Sequence, residues 1–205
     1  MTADTVQRAF LEWTKGLSDR NARVSIFNRI RDVPYAVIPE INNPTDGPEG
    51  LLKRMKGSCL PKHYLLGRMF EMLRIPIQYV TYPFSWSIKS VVYPPELRKL
   101  AETVPIGYHL ACKARIENEW VDIDATWDRL LACVGFPVNE DWNGVSDTKL
   151  AVEPLDGIVH ENAKERVSFV QTRKSSWTAE DHARAEFFTS ALSNWLEEVR
   201  RNQSS

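Results

Sequence analysis

Residues 108–126 carry an alternation of apolar and polar side chains that is typical of two β-strands joined by a tight turn. The turn falls at Glu117 and Asn118, and the apolar residues on its two sides are Leu110, Cys112, Ala114, Ile116, Val121, Ile123 and Ala125. Strand side chains alternate between two faces, so these residues share a face if Lys113 pairs with Asp122. The sequence therefore predicts both the hairpin and its register.

The same register places a histidine and an aspartate together on the other face of the hairpin. His109 lies opposite Thr126, so Asp124 is its diagonal neighbour at ~7–8 Å, a gap that the two side chains can bridge. A carboxylate in this place fixes the tautomer and orientation of an imidazole that acts as a general base. If no nucleophile lies nearby, the alternative is that His109 and Asp124 form a structural pair. Trp127, close behind Asp124, is predicted to shield the pair from water.

Cys59 stands where a long apolar helix, predicted over residues 60–73, begins. In the first turn of a helix, the positive end of the macrodipole and the unpaired N–H groups stabilise a thiolate, which is the nucleophilic form. The backbone N–H of Cys59 is also placed to donate to an oxyanion, and Trp86 and Gln78 are candidates for a second donor. The alternative is that Cys59 is a small buried hydrophobe.

The remaining elements follow from the period of the apolar residues and from the prolines and glycines. Helices are predicted over residues 3–16, 21–31, 48–56, 95–102 and 178–200, and strands over residues 77–82 and 167–171 besides the hairpin. The 48–56 helix is expected to end at Gly57 in a left-handed cap. Residues 83–107 form an excursion from the sheet that is predicted to be a lid or one wall of a cleft. The order of elements predicts an α+β fold, with helices packed on an antiparallel sheet and the nucleophile at a helix N-terminus.

The composition narrows the class of protein. The 205 residues are predicted to form one domain over residues 1–205. The net charge is -1 and the basic residues are scattered, so nothing electrostatic indicates a nucleic acid or an anionic membrane as partner. Three widely spaced cysteines do not suggest a disulfide framework, and neither a signal peptide nor an apolar run of ~18 residues is visible. We therefore expect a cytoplasmic location.

Three segments resemble the catalytic region of the transglutaminase-like superfamily. GSCLPKHYLLGRMFEMLRIPIQYV is similar to its nucleophile segment, in which glycine-x-cysteine opens a long apolar helix that leads to an "IP" turn and a strand. YHLACKARIENEWVDIDATWD is similar to the part that carries the histidine and the aspartate, and IFNRIRDVPY to the helix and "PY" corner that precede the nucleophile. The resemblance covers about residues 26–130. It implies a papain-like fold with Cys59 as nucleophile, His109 as base and Asp124 as orienting acid.

These features together predict a cysteine-dependent enzyme that acts on the amide bonds of a peptide or protein through a thioester. The acyl group would pass to water, as in a protease or amidase, or to an amine, as in a transglutaminase. The alternative is a catalytically degenerate member of the superfamily that serves as a binding or scaffold module.

Two other site chemistries fit the sequence less well. Zinc has four candidate ligands in Cys59, His63, His109 and Cys112, but the last two have opposite parity on one strand and face opposite ways. Arylamine N-acetyltransferases share a Cys-His-Asp triad, but their arginine-glycine-glycine lead into the cysteine is absent from KGSC. We therefore expect neither a metal nor a cofactor such as acetyl-CoA.

Overall fold

The computed structural model describes residues 4–203, and within them four α-helices precede the first strand of a single sheet and two α-helices follow its last strand. The helices are α1 (Thr5–Thr14), α2 (Asp19–Arg31), α3 (Gly47–Arg54), α4 (Cys59–Met72), α5 (Pro95–Thr103), α6 (Ala163–Lys174) and α7 (Ala179–Gln203). The strands are β1 (Ile77–Phe84), β2 (Gly107–Ile116), β3 (Glu119–Ile123) and β4 (Ile158–His160), and short 3-10 helices span Pro39–Ile41 and Arg129–Val134. Residue 3, where the first helix was predicted to begin, lies outside the described residues.

The four strands form one antiparallel sheet in the order β3-β2-β1-β4, which confirms the predicted α+β class. The pairing of β2 with β3 has the predicted register, since Lys113 lies opposite Asp122 and its Nζ is 3.0 Å from Oδ2 of that residue. Glu117 and Asn118 form the turn with φ values of 52° and 72°. Two positive φ angles are what a two-residue hairpin turn requires to match the right-handed twist of its strands.

Helix α4 is the central helix of the first apolar core. Leu65, Leu66, Met69 and Phe70 on this helix are fully buried, and they pack with apolar residues of α2 and of the inner face of β2 and β3. The period-3.6 pattern of the sequence predicted this helix because a helix buried on most of its surface needs apolar residues at these spacings. The chain leaves the helix through Arg74, which has a φ of 61°.

A second apolar core lies between α5, α7 and the segment after the hairpin. Its members include Leu97, Phe136, Phe188 and Leu192, all at most 5% exposed. The predicted excursion over residues 83–107 supplies α5 to this core, so it is a packed part of the molecule. The two cores meet where α4 begins and β3 ends.

The strand predicted over residues 167–171 is wrong, because these residues lie in the middle of α6. The β-branched and aromatic residues of VSFVQ favour a strand locally. The helix is started by side-chain caps that outweigh this preference: Asn162 Oδ1 accepts from the backbone N–H of Glu165, and Glu165 Oε2 accepts from the backbone N–H of Glu161. The fourth strand of the sheet is instead β4, in a region that was predicted to be irregular.

The left-handed cap predicted at Gly57 is also wrong, because Met55 has the left-handed conformation after α3, with a φ of 51°. Gly57 has another reason to be glycine. A Cβ atom at this position would lie 2.6 Å from Leu51 Cδ1 and 2.8 Å from Pro61 Cγ, so only glycine lets the chain pass between α3 and α4.

Candidate active site

Cys59 is the first residue of α4, at the position where the sequence predicted a helix to begin. Ser58 caps the helix, and its Oγ accepts from the backbone N–H of Leu60 at 3.4 Å. The first N–H groups of a helix have no acceptor within the helix, so the Cys59 N–H is available to a ligand. The thiol is partly exposed, whereas Cys112 is buried and Cys133 lies on the surface.

The imidazole of His109 and the carboxylate of Asp124 form a buried hydrogen bond. His109 Nε2 lies 2.7 Å from Asp124 Oδ2, and the two residues are 3% and 1% exposed. The carboxylate also accepts from the backbone N–H of Ala151 at 2.7 Å and from that of Thr126 at 3.2 Å. Burial raises the pKa of Asp124, but the charge and the hydrogen bond of His109 lower it by more. The pKa of this carboxyl therefore lies well below its usual value.

Cys59 and His109 stabilise each other in their charged forms. Burial lowers the pKa of His109, but Asp124 and the thiol of Cys59 raise it to about 10. Burial likewise raises the pKa of Cys59, but the hydrogen bond and charge of His109, followed by the Leu110 N–H and Arg166, make it lower than in a free thiol. His109 Nδ1 is the ring nitrogen left for the thiol, since Nε2 bonds Asp124. The pair therefore favours thiolate and imidazolium more strongly than an isolated thiol and an isolated imidazole do.

Both side chains line a cavity of about 150 Å³. Its walls come from the ends of several elements: Cys59 and Ser58 from α4, His109 and Thr126 from the hairpin, Trp86, Val104 and Pro105 from the 83–107 excursion, and Lys174 and Trp177 from the α6–α7 corner. The excursion thus forms one wall of the cleft, as the sequence predicted. A cavity of this size admits the reacting group of a substrate, whereas whole-ligand pockets usually measure ~300–1,000 Å³.

His63, which the sequence presented only as a zinc ligand, connects Cys59 to the segment that carries Asp124. Its ring is fully buried; Nδ1 donates to the Cys59 carbonyl at 2.8 Å, and Nε2 accepts from the backbone N–H of Ala125 at 3.0 Å. Burial lowers the pKa of His63 to about 4, so the ring is neutral and its 3.5 Å approach to Asp124 Oδ1 is no ion pair at neutral pH. The i, i+4 spacing of Cys59 and His63 predicts the contact with the Cys59 carbonyl, but no sequence pattern predicts the contact with the Ala125 N–H.

Asn42 is a second residue of the cavity that the sequence did not indicate. Its Oδ1 accepts from Ser58 Oγ at 2.7 Å, its Nδ2 has no hydrogen-bond partner among residues 4–203, and the residue lines the same cavity as Cys59. Of the two donors considered from the sequence, Trp86 lines the cavity, whereas Gln78 lies on β1 opposite Lys113 and does not. Asn42 sits in a turn-rich segment, where composition predicts a loop and gives no position in space.

The four residues weighed as zinc ligands do not form one cluster. Cys112 Sγ lies 3.5 Å from the His63 carbonyl oxygen, in the first core, and burial raises the pKa of its thiol well above the usual value. Within residues 4–203, no three His, Cys, Asp or Glu side chains are arranged to hold a metal ion.

The fold is similar to those of two solved structures. One is a protein of Cytophaga hutchinsonii proposed to be a cysteine protease, 17% identical over 77% of this chain and 50% of that one, with a TM-score of 0.43. The other is a TGase, 14% identical over 62% of this chain and 32% of that one, with a TM-score of 0.42. The chain thus spans half of the first protein and about a third of the second.

No protein-family model and no curated protein matches the sequence. Between residues 4 and 203, none of the helices has both the length and the apolar character that crossing a membrane requires.

Proposed function

We propose that the protein is a cysteine enzyme of the transglutaminase-like type, which transfers the acyl group of an amide through a thioester on Cys59. The observation that supports this most directly is the arrangement of charge at the cavity. A thiol at a helix N-terminus shares the cavity with a histidine whose far nitrogen is held 2.7 Å from a buried carboxylate. Nucleophile, base and orienting acid are the groups that such a reaction needs.

In the first step, the Cys59 thiolate attacks the carbonyl carbon of the amide. A C–S bond forms, and the carbonyl oxygen becomes an oxyanion that accepts hydrogen bonds from the Cys59 N–H and from Asn42 Nδ2. The C–N bond then breaks, and the His109 imidazolium gives its proton to the departing amine. The products of this step are the free amine, the thioester and a neutral His109.

In the second step, His109 takes a proton from water or from an acceptor amine as that molecule attacks the thioester. A C–O or C–N bond forms and the C–S bond breaks, which regenerates the Cys59 thiolate and the imidazolium. Asp124 holds the ring in one orientation through both steps and stabilises its charged form. The donor is a peptide or protein amide; with water the enzyme is a protease or amidase, and with an amine it is a transglutaminase.

The reactivity of Cys59 tests the first half of the proposal. We expect iodoacetamide at pH 7 to alkylate Cys59 faster than Cys133, although Cys133 is more exposed, because His109 lowers the pKa of the Cys59 thiol. Mass spectrometry of digests gives both rates from one sample. If Cys59 reacts no faster than Cys133 and Cys112, the enzyme proposal is wrong, and the scaffold alternative is favoured.

Substrate profiling tests the second half. The protein is incubated with peptide, glutamine and isopeptide substrates, each with and without an added amine, and Cys59→Ala is the control. We expect turnover that Cys59→Ala abolishes and a thioester on Cys59 that intact-mass measurement detects. A reactive Cys59 with no turnover on any of the three classes contradicts the proposed substrates.

A further inference from the structure

The cavity beside Cys59 carries a positive charge that no carboxylate in the described chain neutralises. Lys174, the last residue of α6, is half-buried and lines the cavity, and its Nζ stands 4.5 Å above the ring of Trp177. The residues that line the cavity include no aspartate and no glutamate. Among residues 4–203, Lys174 also forms no ion pair, unlike other lysines such as Lys113, which faces Asp122.

A second cation lies behind the same wall. Arg166, two turns earlier on α6, is only 4% exposed; its Nη2 donates to the Tyr108 carbonyl at 3.0 Å, and its Nε has no partner among residues 4–203. Burial and the charge of Arg166 lower the pKa of Lys174, whereas the charge of Cys59 raises it. The like charges of Lys174 and Arg166 repel each other, and a bound anion relieves this repulsion.

We propose that the acyl donor carries a carboxylate close to the amide under attack, and that Lys174 binds this carboxylate. This inference rests on the proposed function, since it names the substrate class of the same site. The carboxylate belongs either to an acidic side chain beside the amide or to the end of a peptide chain. Trp177 and Trp86 give this part of the cavity aromatic walls, which exclude water and strengthen the attraction between the charges.

A pair of thiol reagents tests the charge preference without any knowledge of the substrate. Iodoacetate and iodoacetamide alkylate the same sulfur atom. Iodoacetate carries a carboxylate, and iodoacetamide carries a neutral amide in its place. The ratio of their rates at Cys59 therefore measures the attraction of the site for a carboxylate, and general changes in thiol reactivity cancel. The ratio is measured at pH 7 in the wild-type protein and in Lys174→Met, Lys174→Glu and Lys174→Arg. Lys164→Met, which removes an exposed lysine of the same helix, is the matched control.

We expect Lys174→Met to lower the iodoacetate-to-iodoacetamide ratio about tenfold, the order of effect of one nearby unit charge, and Lys174→Glu to lower it further. Lys174→Arg and Lys164→Met should keep the wild-type ratio. Retention of the ratio in the arginine variant also shows that the loss in the others comes from the charge and not from misfolding. A ratio that is the same in wild type and Lys174→Met overturns the inference alone. A Cys59 that reacts with either reagent no faster than Cys133 overturns the proposed function, and the inference with it.

Peptide substrates then identify the source of the carboxylate. Matched pairs compare glutamate with glutamine beside the amide, and a free C-terminus with an amidated one. We expect kcat/KM to favour the acidic member of one pair about tenfold, and Lys174→Met to remove that preference. No preference in either pair contradicts the proposed substrate class.

Discussion

Asp124 affects the charge of His109 directly and that of Cys59 through His109. Its carboxylate bonds His109 and raises the pKa of that ring, which in turn lowers the pKa of Cys59. We therefore expect Asp124→Asn to lower the pKa of His109, to raise the pKa of the thiol and to slow alkylation at pH 7 by about tenfold or more. The rate of iodoacetamide alkylation from pH 5 to 10 measures this, and the midpoint of the profile should move to higher pH.

Asp122→Asn is the matched control for this change, because Asp122 lies two positions earlier on the same hairpin strand. Its carboxylate bonds Lys113 and the Tyr82 hydroxyl at the partly exposed edge of the hairpin, and it does not contact His109. The control should keep the wild-type midpoint. Equal shifts in both variants would mean that the effect comes from the hairpin as a whole, against the role given to Asp124.

His63 joins the helix that begins at Cys59 to the segment that carries Asp124 only while its ring is neutral. Burial lowers its pKa to about 4, whereas an unfolded histidine has a pKa of about 6.5. Between these values the unfolded chain binds a proton that the folded chain does not, so stability falls as the pH drops from 6.5 through 4. The loss amounts to about 3 kcal/mol in the free energy of unfolding.

The prediction is checked by urea unfolding of wild type and His63→Ala at several pH values. At pH 7 the variant should be less stable by about 2–4 kcal/mol, because the Cys59 carbonyl and the Ala125 N–H lose a partner. The difference between the two proteins should shrink on going to pH 4, where the wild type bears the cost of protonation. A difference that does not change with pH contradicts a buried neutral histidine.

Single residues also show where the sequence stops being informative. Cys59, His109 and Asp124 could be selected because each stands in a local pattern, a helix start or a hairpin register. Asn42 could not, because its place beside Cys59 depends on a hydrogen bond to Ser58 across a loop with no periodic pattern. The same holds for Lys174, which approaches the cavity only through the packing of α6.

Among the elements, α4 is fixed at its first turn by a buried lysine. Lys62 is fully buried, and its Nζ donates to the Arg31 carbonyl at the end of α2 and to the Thr126 carbonyl after β3. Burial lowers its pKa to about 7, from about 10.5 in an unfolded chain. Between these values the unfolded chain keeps a proton that the folded chain has lost, so this residue makes stability rise with pH from 7 to about 10.

Comparison with Lys62→Met isolates this contribution. The free energy of unfolding of wild type minus that of the variant should increase by up to about 1.4 kcal/mol per pH unit between pH 7 and 10. Guanidinium unfolding at four pH values in this range gives the slope. Lys53→Met is the control, since Lys53 forms an exposed pair with Glu49 and should give no slope. A flat difference for Lys62→Met would mean that the lysine stays charged when buried.

The predictability of an element depended on how strongly one period dominates its sequence. The hairpin and α4 were predicted correctly because alternation and the 3.6-residue period persist over their full length, and a shifted register would expose the buried face. α6 was missed because VSFVQ has strand-forming residues, whereas the side chains of Asn162 and Glu165 that cap the helix lie outside that segment. For α6, the residues that begin the helix indicate its structure better than the residues in its middle.

On the scale of the whole molecule, the candidate site lies where the two apolar cores meet. α4 and the hairpin belong to the first core, and the excursion and α7 belong to the second. The sequence predicted the elements of both, but not that residues 163–203 would return to close the cavity. Such long-range closure depends on side-chain packing between distant segments, and no local period encodes it.

Trp127 is the residue through which the second core supports the site. Its ring centre lies 4.4 Å from that of Tyr35 and 4.1 Å from that of Phe136. Its Nε1 donates to the carbonyl of Ala151, whose own N–H donates to Asp124. The ring therefore both fills the core and holds a hydrogen-bond donor against Asp124, and its shielding of the His109–Asp124 pair from water stays a prediction.

We expect Trp127→Ala to lower the free energy of unfolding by about 3–5 kcal/mol, because it leaves a cavity between the two cores. Trp127→Phe keeps a ring and loses only the bond to Ala151, so it should cost about 1–2 kcal/mol. Trp127→Ala, studied where it is fully folded, should also raise the pH midpoint of Cys59 alkylation, because water reaching Asp124 weakens its interaction with His109. Urea unfolding and the alkylation profile measure the two effects separately. A destabilised Trp127→Ala with the wild-type midpoint would make the tryptophan a packing residue only.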